Sequence, residues 1–196
     1  MELLRRKIRE KGIVVDEDVL KVDSFLNHCI DPKLMQAIGK EFADRFRHDG
    51  VTKILTIESS GIAPAVFTGL ELDVPVVFAK KDLSRNMSCD IYDACVHSFT
   101  KGRDYMVCVS KEYLNDTDKV LIIDDFLANG RAAAGLGELV IMSGASVAGI
   151  GVVIEKGFQK GGSLLREMGF RVEALAIIDS MSENGIIFRN EEEKRK

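Results

Sequence analysis

Several functions are hard to reconcile with this sequence because the features they need are scarce. There is no basic patch. Lys and Arg number 27 against 31 Asp and Glu, a net charge of −4, and the positive residues are spread along the chain. Neither nucleic acid nor an anionic membrane therefore finds an electrostatic footprint. No apolar run approaches the roughly 20 residues that span a bilayer. The basic start (Arg5, Arg6, Lys7) runs into Glu10, Asp16, Glu17 and Asp18 rather than into an apolar signal core. Cys29, Cys89, Cys95 and Cys108 show no Cys-x-x-Cys spacing and sit among apolar residues, which reads as free thiols in a reducing compartment. His28, His48 and His97 are scattered, without the spacing of a zinc site. There is no Walker loop, no G-x-G-x-x-G, and no Ser-His or Cys-His arrangement to support a covalent nucleophile. The expectation is a cytoplasmic protein with no nucleic-acid or membrane partner.

What is present is an alternation of strands and helices. Met1–Lys11 is amphipathic and stopped by Gly12. Asp31-Pro32 caps a second helix with Leu34, Ile38, Phe42 and Phe46 on one face, ended by Gly50. Strand 51–57, helix 62–72 and strand 74–79 follow. Extended runs at 91–99 and 104–111, parted by TKGRD, read as a hairpin. Strand 119–123, helix 131–143, strand 147–154, helix 163–168 and strand 171–178 complete the pattern. The strands are nearly continuous in apolar residues, as in a parallel sheet covered on both faces. This predicts one α/β domain over 1–196: a doubly wound, mainly parallel sheet in a core at 51–180, a hairpin insertion, and an N-terminal helical flap at 1–50 forming a small hood. No repeat or linker is visible, and the charged tail EEEKRK reads as frayed.

In such a fold, ligands sit beyond the carboxyl ends of the strands. Two strand ends carry small-residue turns that lead into helices. One is Glu58-Ser59-Ser60-Gly61; the other is Asp124-Asp125-Phe126-Leu127-Ala128-Asn129-Gly130-Arg131-Ala132. A turn of this kind presents backbone N–H groups and the positive end of a helix dipole, a cradle for phosphate. Two adjacent carboxylates ahead of it would repel the phosphate. They suit a sugar lying beside it, whose hydroxyls donate to carboxylate oxygens and whose developing positive charge they stabilise. The pattern Asp-Asp-x-x-small-x-Gly therefore reads a ribose 5-phosphate. On residue chemistry alone, Asn27 serves equally as a cap, Lys156 as an exposed lysine, and Phe126 or Phe158 as core residues or as a platform for a ring.

VLIIDDFLANGRA resembles the phosphoribosyl-pyrophosphate motif of the type I phosphoribosyltransferase family. With ESSGIAPA at 58–65, VHSFTK at 96–101, IEKGFQ at 154–159 and the opening MELLRRKIREKG and LKVDSFLNHCIDP, the chain is similar to the xanthine-using purine branch of that family over nearly its whole length. The resemblance implies transfer of a 5-phosphoribosyl group from phosphoribosyl pyrophosphate to N9 of xanthine, with Mg²⁺ arriving on the diphosphate and no metal held by protein alone. It implies that Asp124 and Asp125 hold the ribose hydroxyls, that Ala128, Asn129, Gly130, Arg131 and Ala132 wrap the 5′-phosphate, and that Glu58, Ser59, Ser60 and Gly61 face the pyrophosphate. Lys80 and Lys81 would open a mobile lid over 80–99, made polar by Ser84, Arg85, Asn86, Ser88 and Asp90. Leu20, Asn27 and Lys156 would hold the base, with Phe126 stacking on it, and the protein would be a homodimer. Four positions depart from the common pattern. Asn129 and Ala132 stand where Ser or Thr is usual, Lys80 where Arg is found, and Arg131 where Gln is frequent. Guanine, hypoxanthine or adenine as the base, or a phosphoribosyl-pyrophosphate sensor that regulates transcription, are the competing readings. The sensor is disfavoured by the missing positive face and by only about 50 residues before the first core strand.

Overall fold

The computed structural model describes residues 1–81, 90–98, 103–183 and 185–189. Helix α1, Glu2–Lys11, buries Leu4 and Ile8, one turn apart, and ends at Gly12, whose N–H bonds the Ile8 carbonyl. Helix α2, Pro32–Phe46, starts where Asp31 Oδ1 accepts from the Leu34 N–H at 3.2 Å and Pro32 fills the first turn. Its stripe Leu34, Ile38, Phe42 and Phe46 is fully buried. Between the two helices lie a short antiparallel ribbon, β1 (Ile13–Asp16) and β2 (Val19–Lys21), and a single π-type turn at Asp23–Asn27. The 1–50 segment is thus a mixed flap rather than a purely helical one. The β-branched run Ile13-Val14-Val15 extends the chain, but over too few residues to read apart from a loop.

The remaining elements are β3 (Lys53–Ile57), α3 (Ile62–Leu72), β4 (Val76–Lys81), β5 (Ile91–Ser98), β6 (Arg103–Ser110), β7 (Lys119–Leu127), α4 (Arg131–Met142), β8 (Ser146–Lys156), α5 (Gly161–Glu167), β9 (Val172–Ser182) and β10 (Gly185–Phe188). The strands form an eight-stranded sheet in the order β10-β9-β8-β7-β3-β4-β6-β5. The stretch from β9 to β4 is parallel; the β5–β6 hairpin and β10 add antiparallel edges. This is the α/β architecture expected, with helices on both faces. β7 shows why its sequence is continuously apolar. Leu121 and Ile123 pack with the residues of α2, while Val120 and Ile122 pack with those of α4. From β3 the chain winds outward to β4, and from β7 it winds the opposite way to β8 and β9. The reversal between β3 and β7 leaves a crevice beyond their carboxyl ends, where such folds bind ligands.

Several boundaries differ from the sequence expectation. β7 continues through both carboxylates to Leu127, because β8 runs alongside it and pairs Asp124 with Val152, Phe126 with Ile154 and Leu127 with Glu155. The apolar run stops at Ile123; the pairing does not. β4 likewise extends to Lys81, held by Lys80–Cys108 and Lys81–Val107 pairing with β6, so the two lysines end a strand rather than open a loop. β10 was not foreseen. Of the expected lid at 80–99, residues 82–89 and 99, and with them Ser84, Arg85, Asn86 and Ser88, lie outside the described residues, as does the tail. Asp90 is described and pairs with Lys111 at 2.7 Å.

Phe42 is fully buried, and its ring fills the space that a side chain at Gly151 would take. Phe42→Ala is expected to cost about 3–5 kcal/mol, transfer and cavity together. The check is a lower denaturant midpoint at unchanged slope.

Candidate active site

Asp124 and Asp125 occupy the carboxyl end of β7, beside the crevice. Asp124 is 5 % exposed, and its Oδ1 accepts the Asp125 N–H at 2.9 Å. Burial pushes the Asp124 carboxyl well above the ordinary range, and the Asp125 charge adds to the shift; burial likewise pushes Asp125 up. The positive charge of Lys81 acts against both shifts. Lys81 is placed by its own N–H, which donates to Glu58 Oε1 at 2.6 Å, and by the Tyr105 ring, 5.6 Å beneath its ammonium. Burial, and then the Asp124 charge, raise the Tyr105 hydroxyl in turn. Both carboxyls thus resist ionisation in this setting, and a partner that donates hydrogen bonds or carries positive charge would favour their charged form.

The two turns meet this centre. A Cβ on Gly61 would collide with Thr56 Oγ1 and lie 3.2 Å from Asp124 Oδ1, so loop 58–61 passes directly over the carboxylate. The Glu58–Ser59 peptide is cis. Thr56 Oγ1, beneath the loop, is buried without a hydrogen-bond partner. After Leu127 the chain turns through Ala128, Asn129 and Gly130, whose φ of 77° requires glycine, and α4 begins at Arg131. The Gly161 N–H donates to the Ala128 carbonyl at 3.0 Å, bracing the turn from behind.

On the other side of the pair, Lys156 ends β8. Its ammonium lies 5.8 Å over the Phe126 ring and donates to the Asp18 carbonyl at 2.5 Å, across from the β1–β2 turn. Burial pulls the Lys156 ammonium down, and the Asp18 charge opposes this. Leu20, on β2 of the flap, is buried, and in the turn that follows, Asn27 Oδ1 is buried without a partner. Phe126 packs against the core, whereas Phe158 is 40 % exposed; the ring beside Lys156 is Phe126.

The structure thus brings together Asp124, Asp125, Lys81, Glu58 and Gly61, places turn 128–132 next to them, and joins Lys156 and Phe126 to the flap that carries Leu20 and Asn27. Lys80 does not converge. It faces away from Lys81, as neighbouring strand residues do, and lines a groove between β4 and β6 with Phe78, Cys108 and Tyr113. Asp18, Tyr105 and Gly161 were not foreseen. The pair Gly161-Gly162 after Lys160 was the one available signal; the first two are placed by hairpin geometry. No cluster of three or more His, Cys, Asp or Glu able to hold a metal occurs among the described residues, and no helix among them is long and apolar enough to cross a membrane.

An acidic strand end at a topological switch, followed at once by a glycine turn into a helix, is an arrangement suited to a phosphorylated sugar. Residues 29–164 match the family model of the phosphoribosyl transferase domain. The chain is 56 % identical over 191 residues to a xanthine phosphoribosyltransferase of Oceanobacillus iheyensis, covering 97 % of this chain and 98 % of the relative. It is 57 % identical over 188 residues to one of Stutzerimonas stutzeri, covering 96 % and 99 %. Among solved structures, an adenine phosphoribosyltransferase of Trypanosoma brucei, in complex with AMP, pyrophosphate and ribose-5-phosphate, superposes with a TM-score of 0.76 at 20 % identity, covering 93 % of this chain and 82 % of that one. That likeness speaks for the fold. The chain belongs to the phosphoribosyltransferase family.

Proposed function

We propose that the protein transfers the 5-phosphoribosyl group of phosphoribosyl pyrophosphate to N9 of xanthine, giving XMP and pyrophosphate in purine salvage. The observation that carries the reaction is the Asp124–Asp125 pair, the first buried and the second half-buried, immediately ahead of turn 128–132. The choice of xanthine rests on near-full-length relatives of that name and on the donors at Lys156 and Asn27, which suit a base with two ring carbonyls.

In this reading the ribose hydroxyls donate to Asp124 and Asp125, and turn 128–132 receives the 5′-phosphate through its backbone N–H groups with Arg131 adding charge. Loop 58–61 and Lys81 face the diphosphate. As the bond from C1 to pyrophosphate lengthens, the ribose gains oxocarbenium character. The two carboxylates stabilise that charge, while Lys81 offsets the charge on the leaving group. Mg²⁺ enters as part of the diphosphate substrate; the acidic, oxygen-bearing pair suits a hard cation that keeps most of its waters. Lys156 and Asn27 hold the purine over Phe126, and Leu20 closes its apolar edge. Lys80 and Lys81 end β4 and residues 91–98 form β5, so in this reading the lid that excludes water is confined to the segment joining those strands, and 1–50 is the hood of a single-domain enzyme. A cytoplasmic homodimer belongs to the same reading, the second copy being supported by the exposed apolar Val66, Leu70 and Phe78.

The test is a product assay with purified protein, Mg²⁺ and phosphoribosyl pyrophosphate against xanthine, guanine, hypoxanthine, adenine, orotate and uracil, following nucleotide and pyrophosphate together. XMP is expected as the main product. Preference for another base would overturn the base pocket while keeping the donor site. Donor binding without turnover on any base would point to a sensor.

A further inference from the structure

Turn 128–132 does not stand by itself. Its outer side is covered by backbone, not by side chains. A Cβ on Gly161 would collide with the Ala128 carbonyl and the Gly130 nitrogen and come within 2.7 Å of the Asn129 carbonyl carbon, and one on Gly130 would lie 3.0 Å from the Gly161 Cα. Two glycines, back to back, let the start of α5 touch the turn, and the Gly161 N–H to Ala128 carbonyl bond at 3.0 Å fixes the distance.

Something must press α5 that close. Directly behind the contact, Glu155 is 2 % exposed and accepts both arms of the Arg166 guanidinium, at 3.0 and 2.9 Å. The first turn of α5 lies on this carboxylate: a Cβ on Gly162 would collide with Glu155 Oε1 and come within 2.6 Å of an Arg166 nitrogen. Hydrogen bonding to Glu155 raises the guanidinium's hold on its proton. Glu155 is also the β8 residue in register with Leu127, the last strand residue before the turn. The ion pair therefore ties α5 to β8 at the level at which β7 gives way to the turn.

Glu155 is buried while the Arg166 side chain is 40 % exposed, and an ion pair that must desolvate a carboxylate is a poor source of stability, since desolvation offsets much of its attraction. Its strength is geometry: a planar fork against a planar carboxylate allows one orientation. We propose that Glu155 and Arg166 are positioning residues, acting through Gly161 to hold turn 128–132 at the distance at which it receives the 5′-phosphate. The inference rests on the reading of that turn as the phosphate site.

The test separates donor binding from base binding and from folding. Phosphoribosyl pyrophosphate with Mg²⁺ is titrated into the full-length protein by calorimetry, KM is measured for both substrates, and thermal midpoints are recorded. Gly161→Ala, which pushes a methyl against the turn, is expected to raise the donor Kd and KM by about tenfold or more, as misplacement of a binding group by a fraction of an ångström does, with the xanthine KM unchanged. Arg166→Met is expected to do the same and also to lower the thermal midpoint by leaving Glu155 unpaired. The double variant Glu155→Met/Arg166→Met removes both charges. It is expected to recover the midpoint while the donor KM stays raised, a split that a merely structural pair would not produce. Donor KM at the wild-type value in the double variant and in folded Gly161→Ala overturns the inference and leaves the proposed function standing. No donor binding by the wild-type protein overturns the phosphate reading and the inference with it.

Discussion

Asp125→Asn is expected to lower turnover by about 100-fold, equivalent to about 2.7 kcal/mol of transition-state stabilisation, with the fold intact. The amide keeps the shape and one acceptor but loses the charge that answers the oxocarbenium ion. Donor KM should change less than kcat, because the charge matters most when the sugar becomes cationic. Unchanged turnover would remove the ribose assignment.

Asp124→Asn carries a second expectation, of opposite sign for stability. Burial and the neighbouring Asp125 charge raise the Asp124 carboxyl above its ordinary value of 3.8 in the folded protein. Between that value and the raised one, the folded state keeps a proton that the unfolded state has released. Stability therefore falls as pH rises through this window, and the loss is complete above it. The Asn variant lacks the effect. It should be less active yet melt higher than wild type at neutral pH, and the gap should close as pH is lowered below the ordinary carboxylate value. Thermal melts of the two proteins across acidic to neutral pH check this. A gap that does not depend on pH would show that the side chain is not held as a buried acid.

Lys156→Ala is expected to cut kcat/KM for xanthine by about 30- to 100-fold, the loss of a charged hydrogen-bond donor worth about 2–3 kcal/mol. Its effect on the donor KM should be small. The ammonium is half-buried, bound to the Asp18 carbonyl and seated on the Phe126 ring, so the truncation also loosens the flap. Lys156→Met, which keeps the stem over the ring, separates the two contributions: if it restores xanthine turnover, packing and not the charge was at work. Equal loss for both substrates would indicate a general disturbance of the crevice.

Much of this molecule was legible from local pattern. The apolar stripe Leu34, Ile38, Phe42, Phe46 and the Asp31-Pro32 start marked α2, because burial of one face and a side-chain cap are decided within a few residues. The order of strands and helices, the turns at 58–61 and 128–132 and the carboxylate pair were equally local, and the rule that such folds bind ligands beyond the carboxyl ends of their strands pointed to the same segments. The misjudged boundaries share one cause. β7 was ended at Ile123 because charge discourages burial, yet Asp124 and Asp125 continue the strand because β8 offers backbone partners as far as Glu155 and Lys156. β4 was ended short of Lys80 and Lys81 for the same reason, and β6 extended it.

The sequence by itself determined the class of fold, the phosphate-and-sugar signature and the identity of the groups that carry charge, since each is a property of neighbouring residues. Tertiary structure alone decided which of those groups meet. It turned Lys81 towards the carboxylates and Lys80 away, laid Asp18 on Lys156 across 138 residues, and backed turn 128–132 with Gly161 and the Glu155–Arg166 pair. Strand pairing and the close approach of backbones depend on partners distant in the chain. Their position is set by how the whole sheet packs and not by any run of sequence.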